Sequence, residues 1–317
     1  MSATMRAAVS ERYHSVAVRD VPKPAPAEGQ VLVRVHAAGV NPYDWHFLRG
    51  EPRIMRLQLG FRGPRLLVRG TDLAGVVESA GSRFAVGDRV YGQVEGAFAD
   101  YVAAPEELLA PMPTNLTFEQ AATVPLAATT AWQGLDGVQP GQRVLIHGAS
   151  GGVGTFAVQI AVALGAEVTG VCSTRNLELV LSLGATRAID YTTTDVVREP
   201  GRYDVVLDLG GRRGPALRKV LAPGGSLLLS SGEGGRWIGP LGRIIGALAL
   251  GWIGKGTVRA LVEKPSRAAL APITAWIEDG AVRPVVDRIY PGLRDAAEAI
   301  ERVEKGHTAG KVGLTVI

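Results

Sequence analysis

The first third of the chain alternates. In Val31–Val40 (VLVRVHAAGV) apolar and polar positions exchange with the period of a half-buried strand. Leu73–Gly81, Asp88–Val94 and Ala97–Pro105 share that texture, each bounded by glycine or proline, with no long helical run among them. Short strands without long helices predict a compact β-rich domain. The period changes near Thr117. Thr117–Leu135 (TFEQAATVPLAATTAWQGL) has helical spacing, with Thr117 and Gln120 set as a capping box. From Arg143 onward strands and helices take turns: a strand in RVLIHG, a helix over Thr155–Leu164, a strand over Glu167–Cys172, a helix over Leu177–Gly184, then strands in ATRAIDY, DVVLDLG and GSLLLSSG. The runs VLI, VVL and LLL are continuous, as strands covered on both faces of a parallel sheet require. Helices at Ala271–Val282 and Leu293–Gly306 and a closing strand in KVGLTVI return to the first texture. The pattern predicts an α/β chain. A doubly wound parallel-sheet domain over 123–262 is inserted into a β-rich domain built from 1–122 and 263–317.

One turn carries chemistry. His147–Ala166 reads HGASGGVGTFAVQIAVALGA, so Ser150, Gly151, Gly152, Val153 and Gly154 lie between a strand and a helix. Glycines there permit positive φ or close approach of a phosphate to the backbone, and the helix start offers unpaired N–H groups to a pyrophosphate. Strand, turn and helix in register, with further βαβ units downstream, predict dinucleotide binding. The next strand ends Cys172-Ser173-Thr174-Arg175-Asn176, with no acid where NAD sites place one for the ribose 2′-hydroxyl. Ser173 and Arg175 suit a 2′-phosphate, which favours NADPH over NADH. A helix cap at Ser173 or Thr174 with a solvated Arg175 is the plainer alternative.

Composition narrows the field. The chain has 317 residues, 46% of them hydrophobic and 20% charged, enough for two domains with real cores. Its net charge of +4 is scattered, and no basic block with interleaved aromatics marks a nucleic-acid surface. Cys172 is the single cysteine, which excludes an internal disulfide and a cysteine-rich zinc site and fits a reducing cytoplasm. MSATMRAAV has no apolar core of a signal peptide. Ile238–Gly254 (IGPLGRIIGALALGWIG) is apolar but short for a membrane span and interrupted by Arg243, so it reads as a cover over a ligand cleft or a buried helix.

The chain resembles the medium-chain dehydrogenase/reductase superfamily, in its zinc-free, quinone-oxidoreductase-like (zeta-crystallin-like) branch. The marks are AAGVNPYDW (Ala37–Trp45), GTDLAGVVESAG (Gly70–Gly81), GDRVYG, AFADYV, AATVPLAATTAW, HGASGGVG, LGATRAIDY and GKVGLTV, spread over nearly the whole length. The resemblance implies a GroES-like catalytic domain and a Rossmann domain, an active site in the cleft between them, and a homodimer. It places Asn41 beside the nicotinamide and Thr130 in a helix facing the cofactor. Gly151–Gly154 fall on the pyrophosphate, and Ser173, Arg175 and Asn176 at the 2′-phosphate. Tyr191 falls at the adenosine end, Ser230, Ser231 and Gly232 beside the nicotinamide strand, and Lys311 near a cofactor phosphate. Zinc-dependent relatives carry Cys where Asn41 stands and His-Glu where Thr71-Asp72 stands. With His46, Asp44 and Asp72 the only nearby substitutes, no metal site is expected.

Without a metal there is no strong Lewis acid, which favours acceptors that are already electron-poor: quinones and α,β-unsaturated carbonyls. The expected activity is a cytoplasmic NADPH-dependent reduction of such small molecules. A zinc-free alcohol or aldehyde dehydrogenase and a non-catalytic, crystallin-like NADPH-binding protein are the alternatives. His46 and Tyr43, flanking Asp44 after Asn41, are the candidate proton donors, with a packing role as the alternative for His46. Trp45 and Phe47 line an aromatic pocket or fill the β-rich core; the residues leave both open. Trp237 is a candidate for a further wall, and the arginine-rich Pro52–Leu67 reads as a lid or a solvated loop.

Overall fold

The computed structural model describes residues 3–61, 63–64, 68–198, 202–210, 214–230 and 256–317. The expectations for Ser231, Gly232, Trp237 and Ile238–Gly254 fall outside these residues. The chain divides into two compact units, one from Met1–Thr129, Pro265–Asp279 and Val286–Ile317, the other from Thr130–Lys264 and Gly280–Val285.

The first unit opens with β1 (Thr4–Val9) and β2 (Ala17–Pro22), an antiparallel pair. β3 (Gln30–Val40) runs into α1 (Pro42–Arg49), followed by a helical turn, α2 (Arg56–Leu59). Hydrophobic period alone announces no helix over the α1 segment; its end signals do. Pro42 at the first helical position presets φ, the Asp44 carboxylate accepts the Asn41 N–H at 2.7 Å, and Gly50 closes the helix at φ 61°. β4 (Asp72–Val77), β5 (Arg89–Gln93), β6 (Tyr101–Pro105) and β7 (Leu109–Pro111) complete the run of strands. Thr117 caps α3 (Phe118–Ala122), its hydroxyl accepting from Gln120 N–H at 3.3 Å while the Gln120 side chain accepts from Thr117 N–H at 3.1 Å. The single helix expected there is two, because the residue before Pro125 is pushed out of the α region and α4 (Pro125–Gly134) starts anew.

The second unit is the expected doubly wound fold. β8 (Arg143–His147), α5 (Gly152–Ala163), β9 (Glu167–Cys172), α6 (Leu177–Ser182), β10 (Arg187–Asp190), β11 (Tyr203–Asp208), β12 (Leu221–Ser230) and β13 (Thr257–Leu261) follow in order. The strands form one parallel sheet ordered β10-β9-β8-β11-β12-β13, so the winding reverses beside β8, where such folds bind nucleotides. Gln159 on α5 ties Gly280–Val285 to this unit: its oxygen accepts from Arg283 N–H at 2.9 Å and its amide donates to Arg283 C=O at 3.0 Å.

Returning to the first unit, the chain forms α7 (Arg267–Glu278), β14 (Val286–Tyr290), α8 (Ala296–Glu304) and β15 (Lys311–Thr315). Its main sheet is ordered β14-β15-β3-β4-β5-β7, with β6 also on β3. β15 lies antiparallel to β3 with Val312 opposite Val40, which sets Lys311 beside the end of β3. Val33, Val35, Leu73, Val90, Ile300 and Leu314 are among the buried residues of this unit's core.

Candidate functional site

Asn41 stands where β3 ends and α1 begins, and its side chain is wholly engaged. Its amide nitrogen donates to Thr71 Oγ1 at 3.1 Å and to Asp72 Oδ2 at 3.0 Å. Its amide oxygen accepts from the Lys311 ammonium, which also donates to Val40 C=O at 3.3 Å and lies 3.7 Å from Asp72 Oδ2. The other Asp72 oxygen accepts from Leu126 N–H at 3.1 Å. Asn41, Asp44, Thr71, Asp72 and Lys311 are all buried, Lys311 only 4% exposed. Loss of water raises the Asp44 pKa to about 7 and lowers that of Lys311, against the pull of Asp72 and Asp44.

The positions where zinc-dependent relatives carry ligands are thus closed on one another through an amide, a hydroxyl, a carboxylate and an ammonium. An ammonium has no lone pair for a cation, and the amide's two protons are spent. Among the described residues, no group of three or more His, Cys, Asp or Glu side chains is placed to hold a metal ion. Lys311, which the resemblance sets near a cofactor phosphate, has its buried ammonium taken by Asn41 and paired with Asp72.

Around α1 lies a second group. Tyr43 is 38% exposed, and its ring packs 4.1 Å from that of Phe47. Its hydroxyl donates to the Glu95 carboxylate, and burial with that negative neighbour pushes its pKa up to about 12. Behind them the Arg69 guanidinium lies over the Phe47 ring, 4.6 Å from its centre. Arg69 is 3% exposed, and among the described residues none of its three side-chain nitrogens has a hydrogen-bond partner. Phe47 therefore serves the core and carries a cation. His46 stays apart. Its Nδ1 donates to Glu51 C=O at 2.9 Å, its ring stacks on Trp45 at 3.6 Å, and burial lowers its pKa. One ring nitrogen given to the backbone and a stacked ring face are the contacts of the packing alternative.

The glycine turn occupies the second unit. Gly148 has φ 90°, and a methyl on Gly154 would overlap the Gly148 carbonyl oxygen. α5 begins at Gly152 with Gly151 as its cap and no side chain bonded there, so the first-turn N–H groups are left to an outside acceptor. Asn176 is turned inward: its amide donates to Ser150 Oγ at 2.9 Å and to Ser173 Oγ at 3.3 Å, bracing the turn against the end of β9. Arg175 is exposed beside it. The Asp190 carboxylate, unseen in the reading of β9 alone, arrives from the neighbouring strand. It accepts from Thr174 Oγ1 at 2.5 Å and Thr192 Oγ1 at 2.8 Å, bonds that hold it below the usual carboxylate range. Thr130 is buried on α4, Tyr191 is exposed after β10, and Ser230 ends β12. His147 bonds Asp208 at 2.8 Å under the turn. Arg69, Glu95 and the partnership of Lys311 with Asn41 were not read from the sequence. They come together from segments far apart in the chain, and no local spacing announces them.

Comparison with known proteins agrees with these elements. Residues 27–114 match the model of the alcohol dehydrogenase GroES-like domain, and residues 183–314 that of a zinc-binding dehydrogenase domain. The chain is 34% identical over 316 residues to a 2-methylene-furan-3-one reductase of Solanum lycopersicum, covering 94% of this chain and 73% of that protein. It is 35% identical over 303 residues to a chloroplastic NADPH-dependent alkenal/one oxidoreductase of Arabidopsis thaliana, covering 90% and 72%. The quinone oxidoreductase structure from Coxiella burnetii superposes with a TM-score of 0.88 at 27% identity, covering 99% of this chain and 100% of that one. A GroES-like unit, a doubly wound nucleotide unit and these relatives together mean that the chain belongs to the medium-chain dehydrogenase/reductase superfamily, in its quinone-oxidoreductase-like branch.

Proposed function

We propose that the protein is an NADPH-dependent reductase of α,β-unsaturated carbonyls or quinones that works without zinc. The observation that carries this reading is the closed cluster of Asn41, Thr71, Asp72 and Lys311, which spends on internal bonds the groups a metal would need. An enzyme so built has no Lewis acid to activate a plain alcohol or ketone and suits electron-poor acceptors. The names of its relatives, a furanone reductase and an alkenal/one oxidoreductase, point the same way.

Gly151, Gly152, Val153 and Gly154 would hold the pyrophosphate, with Arg175 and Ser173 at the 2′-phosphate. A bound nicotinamide supplies the hydride. The chain's own part is to position the acceptor and keep water out. Asn41, its amide spent, acts as a fixed post and not as an acid or base. Asp190, held ionised by the hydroxyls of Thr174 and Thr192, stands against a 2′-phosphate, and on this reading the charge of Arg175 offsets it. We expect a cytoplasmic homodimer, which sedimentation velocity would register as twice the chain mass.

The test is oxidation of NADPH and NADH by chelator-treated protein with 1,4-benzoquinone, an enone, an enal, a simple aldehyde and a simple ketone. Turnover of quinone or enone with NADPH preferred supports the reading. Activity on the simple aldehyde alone would point to an alcohol/aldehyde dehydrogenase, and tight NADPH binding with no turnover to a non-catalytic protein. Arg175→Ala should weaken NADPH binding at least tenfold more than NADH binding, and equal weakening would remove the assignment of Arg175.

A further inference from the structure

Arg69 is the group that the reading above leaves unused. A guanidinium carries five N–H donors, and burying them unpaired costs several kcal/mol unless an acceptor is supplied. Two carboxyl groups face it, Glu95 and Asp44, together with the phenols of Tyr43 and Tyr13. None of them bonds it. Tyr43 holds Glu95 and Asn41 N–H holds Asp44, while the aromatic face of Phe47 supports the guanidinium from one side without using an N–H. Stacking fixes the plane and leaves the donor edge unspent.

The mounting is rigid. The Arg69 carbonyl accepts from Phe98 N–H at 2.7 Å, and Gly70 follows at φ 90°, where a side chain would overlap the Phe98 ring. Thr71 and Asp72, which hold Asn41, come next in the chain. Arg69 is therefore a preorganised donor array in a water-poor place, next to the post at the start of α1. Glu95 offsets part of the Arg69 charge, and the donor edge left over suits an oxygen on which negative charge develops.

We propose that Arg69 is the electrophilic residue of the reductase, receiving the carbonyl oxygen of an α,β-unsaturated ketone or aldehyde and stabilising the charge that forms on it. The assignment rests on the reductase reading. Hydride adds to the β-carbon and forms one C–H bond. The π pair moves through the former double bond onto the carbonyl oxygen, giving an enolate, and water then returns a proton at the α-carbon. The acceptor gains two electrons and the nicotinamide loses two. Arg69 donates hydrogen bonds to the oxygen throughout and neither gains nor loses a proton. The Arg69 nitrogens are covered and Tyr43 and Glu95 are the exposed members of the group, so on this proposal the acceptor reaches Arg69 by displacing those two side chains.

The test does not depend on turnover. With cofactor-free protein, 4-nitrophenol is titrated near its own pKa and its 400 nm phenolate absorption followed. The wild type should favour the bound phenolate at least tenfold over the phenol, and Arg69→Met should abolish that preference. Glu95→Gln, which removes the counter-charge, should strengthen it and guards against an Arg69 variant that fails to fold. In turnover, Arg69→Met should lower kcat for an enone roughly 10²–10³-fold, the effect of losing one oxyanion donor. It should lower benzoquinone turnover far less and leave NADPH binding unchanged. A wild type with no phenolate preference, or an Arg69→Met protein that matches the wild type in both assays, overturns the role of Arg69. A preserved preference in a protein that reduces nothing overturns the reductase reading and leaves the oxyanion site standing.

Discussion

Asp44 lies in the first turn of α1 with its carboxylate buried, and loss of water raises its pKa from the ordinary 3.8 to about 7. Between those values the folded chain holds a proton that the unfolded chain has released. The stability this group contributes is full below about pH 4 and is lost as pH rises through 7, by up to about 1.4 kcal/mol per pH unit. Asp44→Asn keeps an oxygen for the Asn41 N–H and removes the titration. Urea melts should therefore show the variant gaining on the wild type between pH 5 and pH 8, and a constant difference would mean that Asp44 is not buried as a titrating acid. Lys311→Met tests the neighbouring charge from the other side. It leaves Asp72 buried without its cation and should cost about 3–5 kcal/mol in the same melts. Asn41 and Tyr43 were legible because they lie in one short motif. The partnership of Lys311 with Asn41 was not legible, because the two are 270 positions apart and only the register of β15 on β3 joins them.

At the scale of elements, the strands and the glycine turn were legible because period and punctuation are local properties of a sequence. α1 was not, although Asn41 before it, Pro42 at its first position and Gly50 after it are ordinary helix signals. Its eight residues are too few for a period to show, and three of them are buried. α3 and α4 were read as one helix because the apolar spacing runs through Pro125. The turn before α5 makes a sharp demand. Gly154→Ala would place a methyl against the Gly148 carbonyl oxygen, where the backbone has no flexible side chain to yield. NADPH affinity, followed by nicotinamide fluorescence, should fall at least tenfold, whereas Gly292→Ala, at φ −171° with no close neighbour to its Cβ, should leave affinity intact. An unaffected Gly154→Ala would show that the turn relaxes without harming the cradle.

For the molecule as a whole, cofactor binding and stability are linked. NADPH at a hundred times its dissociation constant should stabilise the folded chain by about 2.7 kcal/mol, and the same concentration of NADH by less. A thermal melt with each cofactor reads both, and equal shifts would argue against a 2′-phosphate site. The placing of β15 has a consequence for how the protein is made. Lys311 bonds the carbonyl of Val40, 271 positions earlier, and β15 lies between β14 and β3. Translation delivers β3 first and must then add the whole nucleotide unit before β3 receives that neighbour. For that interval a nascent chain carries an open strand edge and a buried-type carboxylate, Asp72, without its cation. The GroES-like unit is thus a late product of synthesis, exposed to chaperones and proteases until the final strand arrives.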